Sequence, residues 1–481
     1  MLDDFTTKSG DLSGEGPVDW FLRQIWEATG GHPTYLRHFA VSGAGALPSV
    51  FHVTELAAAS IGAACLTIAE LESLRTGQVP AVQIDRRLAS LWFQGSLRPI
   101  GWSMPPPWDE VAGDYRAENG WIRLHTNAPH HRDAAMEVLK TPVDRKAVES
   151  AIARWDAVAL ETAIVADGGC AASMRSLAEW ADHPQGRAVA AEPLLHRLSF
   201  TGATRRPQLS PAARPLQGVR VLDLTRILAG PVATRFLAAF GAEVLRVDPY
   251  GWEEPVTVPE VVLGKRCARL DLKTPEGRQT LEGLLEEADV FVHGYRPDAL
   301  ARMGLDTARR RTLRPGLIDV SLDAYGWTGP WSGRRGFDSL MQMSTGIADA
   351  GMRETGRERP SPLPVQAIDH ATGYLMAAAA IRGLIDQLQT GGGCEVRTSL
   401  ARTAQLLISG GRQPGGTEPL AAEQLDDLSE AIEQTGWGPA RRIRPPASIE
   451  GFPMSWDLPA PQLGSSSAAW STAISNPSLA S

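Results

Sequence analysis

An α/β fold is predicted: a mostly parallel sheet with helices on both faces, joined to a smaller α+β domain. Three observations predict it. The second half of the chain alternates short apolar runs with helical patterns, from Val219–Leu224 through Glu395–Ser399. A separate block near residues 80–200 holds a strand-like alternation followed by short helical runs. Between them a Pro/Arg-rich stretch, Arg205 to Pro215, reads as a linker.

The chain has 481 residues, enough for about three domains. The expected divisions are 1–79 (N-terminal segment and linker helix), 80–205 (small α+β domain), 216–412 (large α/β domain) and 413–481 (C-terminal extension). Apolar residues make up 43% and charged residues 21%, the balance of a soluble globular protein. The formal net charge of −8 excludes a general nucleic-acid binder, so an anionic ligand would need a local basic patch. The four cysteines form no CxxC pair, which speaks against structural zinc and fits a reducing cytoplasm. The first residues carry neither a basic n-region nor an apolar h-region, so no secretory signal is expected there. The uncharged run Leu56 to Ala69 contains too few residues to cross a bilayer and reads as a buried helix. Cytoplasmic localisation without membrane or nucleic-acid partners follows as the expectation.

Residues 1–53 show little periodicity and read as irregular. Glu55–Leu74 reads as a helix with small residues along one side. Residues 76–118 are loop-rich, with the proline run Pro105-Pro106-Pro107. Gly120–His125 alternates like a strand, and Arg132–Leu139, Arg145–Ala157, Val158–Ala166 and Ser173–Trp180 look helical. In the second half, Val219–Leu224, Glu243–Val247, Ala268–Leu272, Asp289–His293, Leu317–Leu322 and Glu395–Ser399 read as strands. Helices are expected at Pro231–Phe240, from Thr274 to Glu287, and at Phe337–Ala348, His370–Gln389 and Ala401–Ile408. Thr274 is a natural cap with Pro275 at the first helical position. The resulting sheet is Rossmann-like. It lacks a GxGxxG after its first strand, so no nicotinamide or flavin fingerprint is present. The Ser/Ala tail is expected to be poorly ordered.

Asp369 stands at the head of a long apolar helix. As a bare pattern it is an N-cap. The same position favours an ionised carboxylate, the form that acts as a nucleophile. Tyr325–Pro330 reads either as a plain surface loop, with Asp338 beyond it as a helix cap, or as a glycine-hinged loop beside a pocket. Arg226, Arg246, Lys265, Arg266, Arg269, Lys273, Arg296 and Arg302 read individually as solvated charges, though several follow strand ends where open α/β sheets bind ligands. His125, His130 and His131 match no common metal spacing and read as caps or interface residues. Gly391-Gly392-Gly393 reads as a helix C-cap and turn.

An ordered set of landmarks resembles the class III coenzyme A transferases, the family of formyl-CoA and carnitine CoA-transferases with α-methylacyl-CoA racemase as a relative. The set runs from Gly218–Thr225 and Ala229-Gly230-Pro231 through Phe240–Val244 and Leu270–Gly277. It continues through Ala288-Asp289-Val290, Arg302-Met303-Gly304, Tyr325-Gly326, Gly329-Pro330, Gly336-Phe337-Asp338, Asp369 and Thr390–Gly393. It covers about residues 216–410 in family order.

The resemblance implies an acyl-CoA:carboxylate CoA-transferase with Asp369 as nucleophile, acting through an acyl-aspartyl anhydride and an aspartyl-CoA thioester. It implies a CoA thioester as substrate, a carboxylic acid as acceptor, no metal, no tightly bound cofactor, and a homodimer. CoA-contact positions carry over to Ile227, Leu228, Ala229, Leu270, Lys273, Tyr295, Arg302, Met303 and Arg335. Leu228 replaces the family's glutamine, and Pro249 stands where some members place an adenine-stacking arginine. Racemase relatives have His where this chain has Phe337, which cannot move a proton. The parts are also reordered. Residues 119–205 resemble the small domain that normally follows the Thr390-Gly391 region, 55–75 resemble the helix leading into it, and Leu458–Gly464 resemble the family's closing segment. The chain thus resembles the tail of one copy fused to the head of another. Arg98–Trp102 and the proline run stand where several members carry a Gly-rich active-site loop. The competing expectations are an acyl-CoA racemase of the same fold and a non-catalytic CoA-binding subunit that needs a partner chain.

Overall fold

The computed structural model describes residues 14–200, 214–296 and 298–471. The expected linker and the Ser/Ala tail fall largely outside the described residues, as does the N-terminal stretch judged not to be a signal.

Seven strands form the main sheet: β1 His196–Ser199, β2 Arg220–Leu224, β3 Glu243–Asp248, β4 Lys265–Arg269, β5 Val290–His293, β6 Ile318–Asp323 and β7 Cys394–Ser399. Their spatial order is β4-β3-β2-β5-β6-β7-β1. All neighbours are parallel except β1, which runs antiparallel to β7 at the edge. The α/β architecture is therefore the one expected, with β1 supplied from the first half of the chain. From β2 the chain winds one way to β3 and β4, then returns to β5 on the other side. The reversal opens a crevice outside the carboxyl ends of β2 and β5, the usual ligand position in such sheets.

Alternation along the strands decides which residues meet which layer. Val221, Val290, Val292, Ile318 and Val320 face one core. Leu222, Leu224, Leu245 and Phe291 face a second core, beneath the helix Pro275–Glu287. Four further helices position the site: α1 Val53–Thr76, α2 Ala229–Ala239, α3 Asp338–Ser344 and α4 Ala367–Thr390. α4 packs between α1 and α2. α1 is rich in small residues, and at Gly62 the Phe39 ring packs so closely that a Cβ would lie 2.2 Å from it. Arg382 of α4 and Glu70 of α1 form a bidentate ion pair in this interface, with Nη1 2.8 Å from Oε1. By length and composition α1 could cross a membrane. All of its most apolar stretch is buried inside the protein, which makes it a core helix.

A smaller unit carries its own apolar cluster, including Tyr115, Ile122, Leu124, Val148, Leu160 and Ala171. It has an antiparallel sheet of 113–116, 121–124 and 171–173, covered by helices 129–139, 145–152 and 157–166.

Several local expectations are corrected. Residues 17–29 are a helix, with Pro17 at its start and Gly30 closing it in the left-handed region at φ 75°. The loop-rich stretch 76–118 contains strands 82–85, 97–99 and 113–116 and the helix Arg86–Phe93. Two of these strands form because distant residues complete them: 82–85 lies between 39–42 and 447–449, and 97–99 pairs with 440–442. The segment after residue 413 therefore stitches the chain together up to residue 471. Ser173 ends a strand, and the next helix starts at Leu177 under a Ser176/Glu179 capping box. β4 begins at Lys265, three residues ahead of the expected strand. The expected helix 337–348 is two helices divided at Gly346 (φ 87°), where a Cβ would meet the Leu177 backbone at 2.4 Å.

Candidate active site

α4 begins at Ala367, two residues before Asp369, so Asp369 lies in the first turn and is not the cap. Its side chain is buried, with 7% of the residue exposed. Asp338 opens α3 and likewise does not cap its own helix. Its Oδ2 accepts the backbone N–H of Asp369 at 2.9 Å, and its Oδ1 accepts Gln342 Nε2 at 2.5 Å. Gln342 Oε1 in turn accepts the Leu363 N–H at 2.6 Å, which ties the segment entering α4 to α3.

Burial raises the pKa of Asp369 well above the ordinary carboxylate range, and the neighbouring Asp338 adds to this. Asp338 is itself raised to about 6 by burial, against the opposing bonds from Gln342 and the Asp369 N–H. The ionising pull expected from the helix N-terminus is outweighed, and the two carboxyl groups titrate as a pair.

The positions after β2 that the resemblance marks as CoA contacts meet this helix. Gly373, one turn beyond Asp369, packs on α2 so closely that a Cβ would lie 2.5 Å from the Ala229 carbonyl oxygen and 2.8 Å from Val232 Cβ. Ile227 occupies the left-handed region at φ 66°, uncommon for a β-branched residue, and turns the chain from β2 into α2. Leu228 and Ala229 follow it, both buried. Leu270, Tyr295 and Met303 pack on the second core at the same end of the sheet. Tyr295 accepts a hydrogen bond from Arg226 at 3.2 Å, and the Arg226 guanidinium lies 4.5 Å from the Trp252 ring centre. Lys273 is exposed, and its backbone N–H bonds Asp271. Arg302 is exposed and ion-paired with Asp298. Arg335 is exposed and donates to the Gly168 carbonyl at 2.7 Å, against the smaller unit.

That unit supplies the wall facing Asp338. The His125 ring stacks on Phe337 at 3.7 Å with planes 7° apart, and its Nδ1 lies 3.3 Å from Ser339 Oγ. Burial pushes the His125 pKa down to about 3, with Arg123 contributing. Among the described residues no three metal-ligating side chains gather. The Gly336-Phe337-Asp338 landmark was visible in the sequence. Its bond to Asp369 and its stacking partner were not, because both bridge long stretches of chain.

Two expectations about neighbouring residues fail. Arg246 and Lys265 are fully buried. Arg246 pairs with Asp248 at 2.8 Å and Glu254 at 3.0 Å, and Lys265 bonds Asp223 at 3.0 Å and Thr234 at 2.6 Å. The loop after Tyr325 reaches the surface at Thr328–Pro330 and borders a cavity at Trp327, as read, but it is tied down and not flexible. Glu192 Oε1 accepts the N–H groups of Trp327 and Thr328, each at 2.8 Å, while Gln185 Nε2 donates to the Tyr325 and Thr328 carbonyls. A separate cavity of about 130 Å³, walled by His293, Arg310, Ser321, Trp327 and Arg397, contains none of the expected site residues.

Residues 216–412 match the model of CoA-transferase family III. The chain is 36% identical over 213 residues to the succinyl-CoA:glutarate CoA-transferase of Mus musculus, covering 41% of this chain and 48% of that protein. It is 28% identical over 397 residues to an acyl-CoA transferase of Gibberella moniliformis, covering 72% and 68%. Among solved structures, a CAIB/BAIF family protein from Brucella suis is similar at 26% identity with a TM-score of 0.38, covering 47% of this chain and 65% of that one. The chain spans about half the length of the first curated relatives it matches.

Proposed function

We propose that this chain is an acyl-CoA:carboxylate CoA-transferase with Asp369 as its covalent nucleophile. The observation that carries the reading is the Asp369–Asp338 pair at the head of α4, packed through Gly373 against the start of α2. Two carboxyl groups that share a site hold a proton between them. Burial and the Asp338 charge leave the proton on Asp369 in the resting site, so Asp369 must first give it up; the ionised form then attacks the thioester carbonyl. The C–S bond breaks, CoA leaves as thiolate, and an acyl-aspartyl anhydride forms. The thiolate then attacks the aspartyl carbonyl, which releases the first carboxylate and leaves aspartyl-CoA. The acceptor carboxylate attacks that thioester and expels the thiolate again. The thiolate closes the cycle on the new acyl carbonyl and regenerates Asp369. Covalent catalysis divides one difficult exchange into easier steps. The α2 N-terminus would offer backbone N–H groups to the oxyanions these steps create.

No metal, redox group or tightly bound cofactor enters this scheme, and CoA is a substrate. The contact positions from Ile227 to Arg335 would bind it across the crevice between β2 and β5. The same reading includes a homodimer and a cytoplasmic setting. Racemisation is disfavoured because position 337 is Phe, and the neighbouring imidazole of His125 is stacked on that ring.

The test is an exchange assay with a panel of acyl-CoAs and free carboxylic acids. Transfer of CoA to an acid supports the reading. CoA binding without exchange favours a non-catalytic subunit, and solvent deuterium at the α-carbon favours a racemase.

A further inference from the structure

We propose that His131 binds the pantetheine arm of coenzyme A, offering its ring nitrogens to the secondary amides of that arm. The identity of the ligand rests on the functional reading above. The contact rests on the residue itself. His131 lies in the first turn of the helix Pro129–Leu139 and is 3% exposed. Neither Nδ1 nor Nε2 has a hydrogen-bond partner among the described residues. A buried polar atom left unmatched costs about 1–3 kcal/mol, so two on one ring call for a group from outside the chain.

Its surroundings set the chemistry of that group. The edge of the Phe337 ring meets it, with centroids 5.8 Å apart and planes at 68°, and the His130 ring centre lies 4.1 Å away. Phe337 directly precedes Asp338, whose carboxylate holds the Asp369 N–H. Arg335, two residues earlier in the chain, is a cation suited to phosphate. On the functional reading above, an arm running from Arg335 to Asp369 passes Phe337, the ring that His131 touches. Burial, with His130 and Arg335 adding to it, pushes the His131 pKa down to about 3, so the ring stays neutral. A neutral imidazole presents one N–H donor and one acceptor nitrogen. The arm carries two secondary amides, each with a donor and an acceptor, so it can serve either ring nitrogen, whereas a phosphate or carboxylate would leave the acceptor nitrogen unmatched.

The contact is tested by calorimetric binding of CoA and of its 3′-phosphorylated ADP fragment, which lacks the arm, to the wild type, His131→Phe and His131→Gln. His131→Phe keeps a ring against Phe337 but removes both polar atoms. It is expected to weaken CoA about tenfold, the loss of roughly one hydrogen bond, and to leave the fragment unaffected. Gln restores a donor and an acceptor and should recover most of the affinity. If Phe distorts the helix, seen as a lowered melting temperature, His131→Leu is read the same way. Unchanged CoA affinity, equal losses for CoA and fragment, or no CoA binding by the wild type overturns the contact. The functional reading fails separately, if CoA binds normally and no acyl-CoA undergoes exchange.

Discussion

The carboxylate of Asp338 accepts the backbone N–H of Asp369 at 2.9 Å, so one acidic residue anchors the helical turn that carries the other. This places two like charges together in a buried site. It makes the ionisation of Asp369 depend on a residue 31 positions away.

Asp338→Asn keeps an acceptor oxygen for the Asp369 N–H but removes the neighbouring charge. Burial is the larger cause of the raised Asp369 pKa and Asp338 the second, so the variant should lower that pKa without normalising it. Asp369 can act as the proposed nucleophile only when ionised. The acid limb of the pH–rate profile for acyl-adduct formation is therefore expected to move to lower pH, and an unmoved limb contradicts the coupling.

The same shift has a stability consequence. A carboxyl whose folded-state pKa is raised contributes stability that is full below its unfolded pKa and is lost as pH rises through the folded value. Asp369→Asn removes this penalty. It is expected to melt higher than the wild type at pH 8 and alike at pH 4, measured by differential scanning calorimetry.

Gly373→Ala places a methyl group 2.5 Å from the Ala229 carbonyl oxygen. The helix-propensity gain of about 1 kcal/mol is outweighed by overpacking between rigid helices. The expected net loss is about 1–3 kcal/mol in urea unfolding, with weaker CoA binding because α2 carries Ile227–Ala229 away from Asp369.

Glu192→Ala removes the acceptor for two loop amides and the Thr328 hydroxyl. The expected cost is roughly 2–3 kcal/mol, with faster amide hydrogen exchange confined to residues near 326–331. Unchanged exchange there would show that the loop is held by other contacts.

The sheet was legible because its strands are short apolar runs and its helices carry local punctuation. Thr274 and Pro275 begin one helix where expected, and Gly391 closes α4. The helix 17–29 also had a signal, in the spacing of Phe21, Leu22, Ile25 and Trp26, but the surrounding Gly and Trp content obscured it. What could not be read depends on partners far away in sequence. Lys265 looks solvated until Asp223 is placed beside it, and the strand 82–85 needs residues 447–449. The candidate site divides in the same way. Asp369 and the positions after β2 stand out as motifs, whereas the contacts of Asp338, His125 and His131 arise only from tertiary packing.

The most direct measurement is hydroxylamine trapping during turnover with an acyl-CoA, followed by mass-spectrometric mapping of the modified residue. The account predicts a hydroxamate at Asp369 in the wild type, and neither adduct nor turnover in Asp369→Asn. Full turnover by Asp369→Asn, or turnover by the wild type with position 369 unmodified, would contradict it.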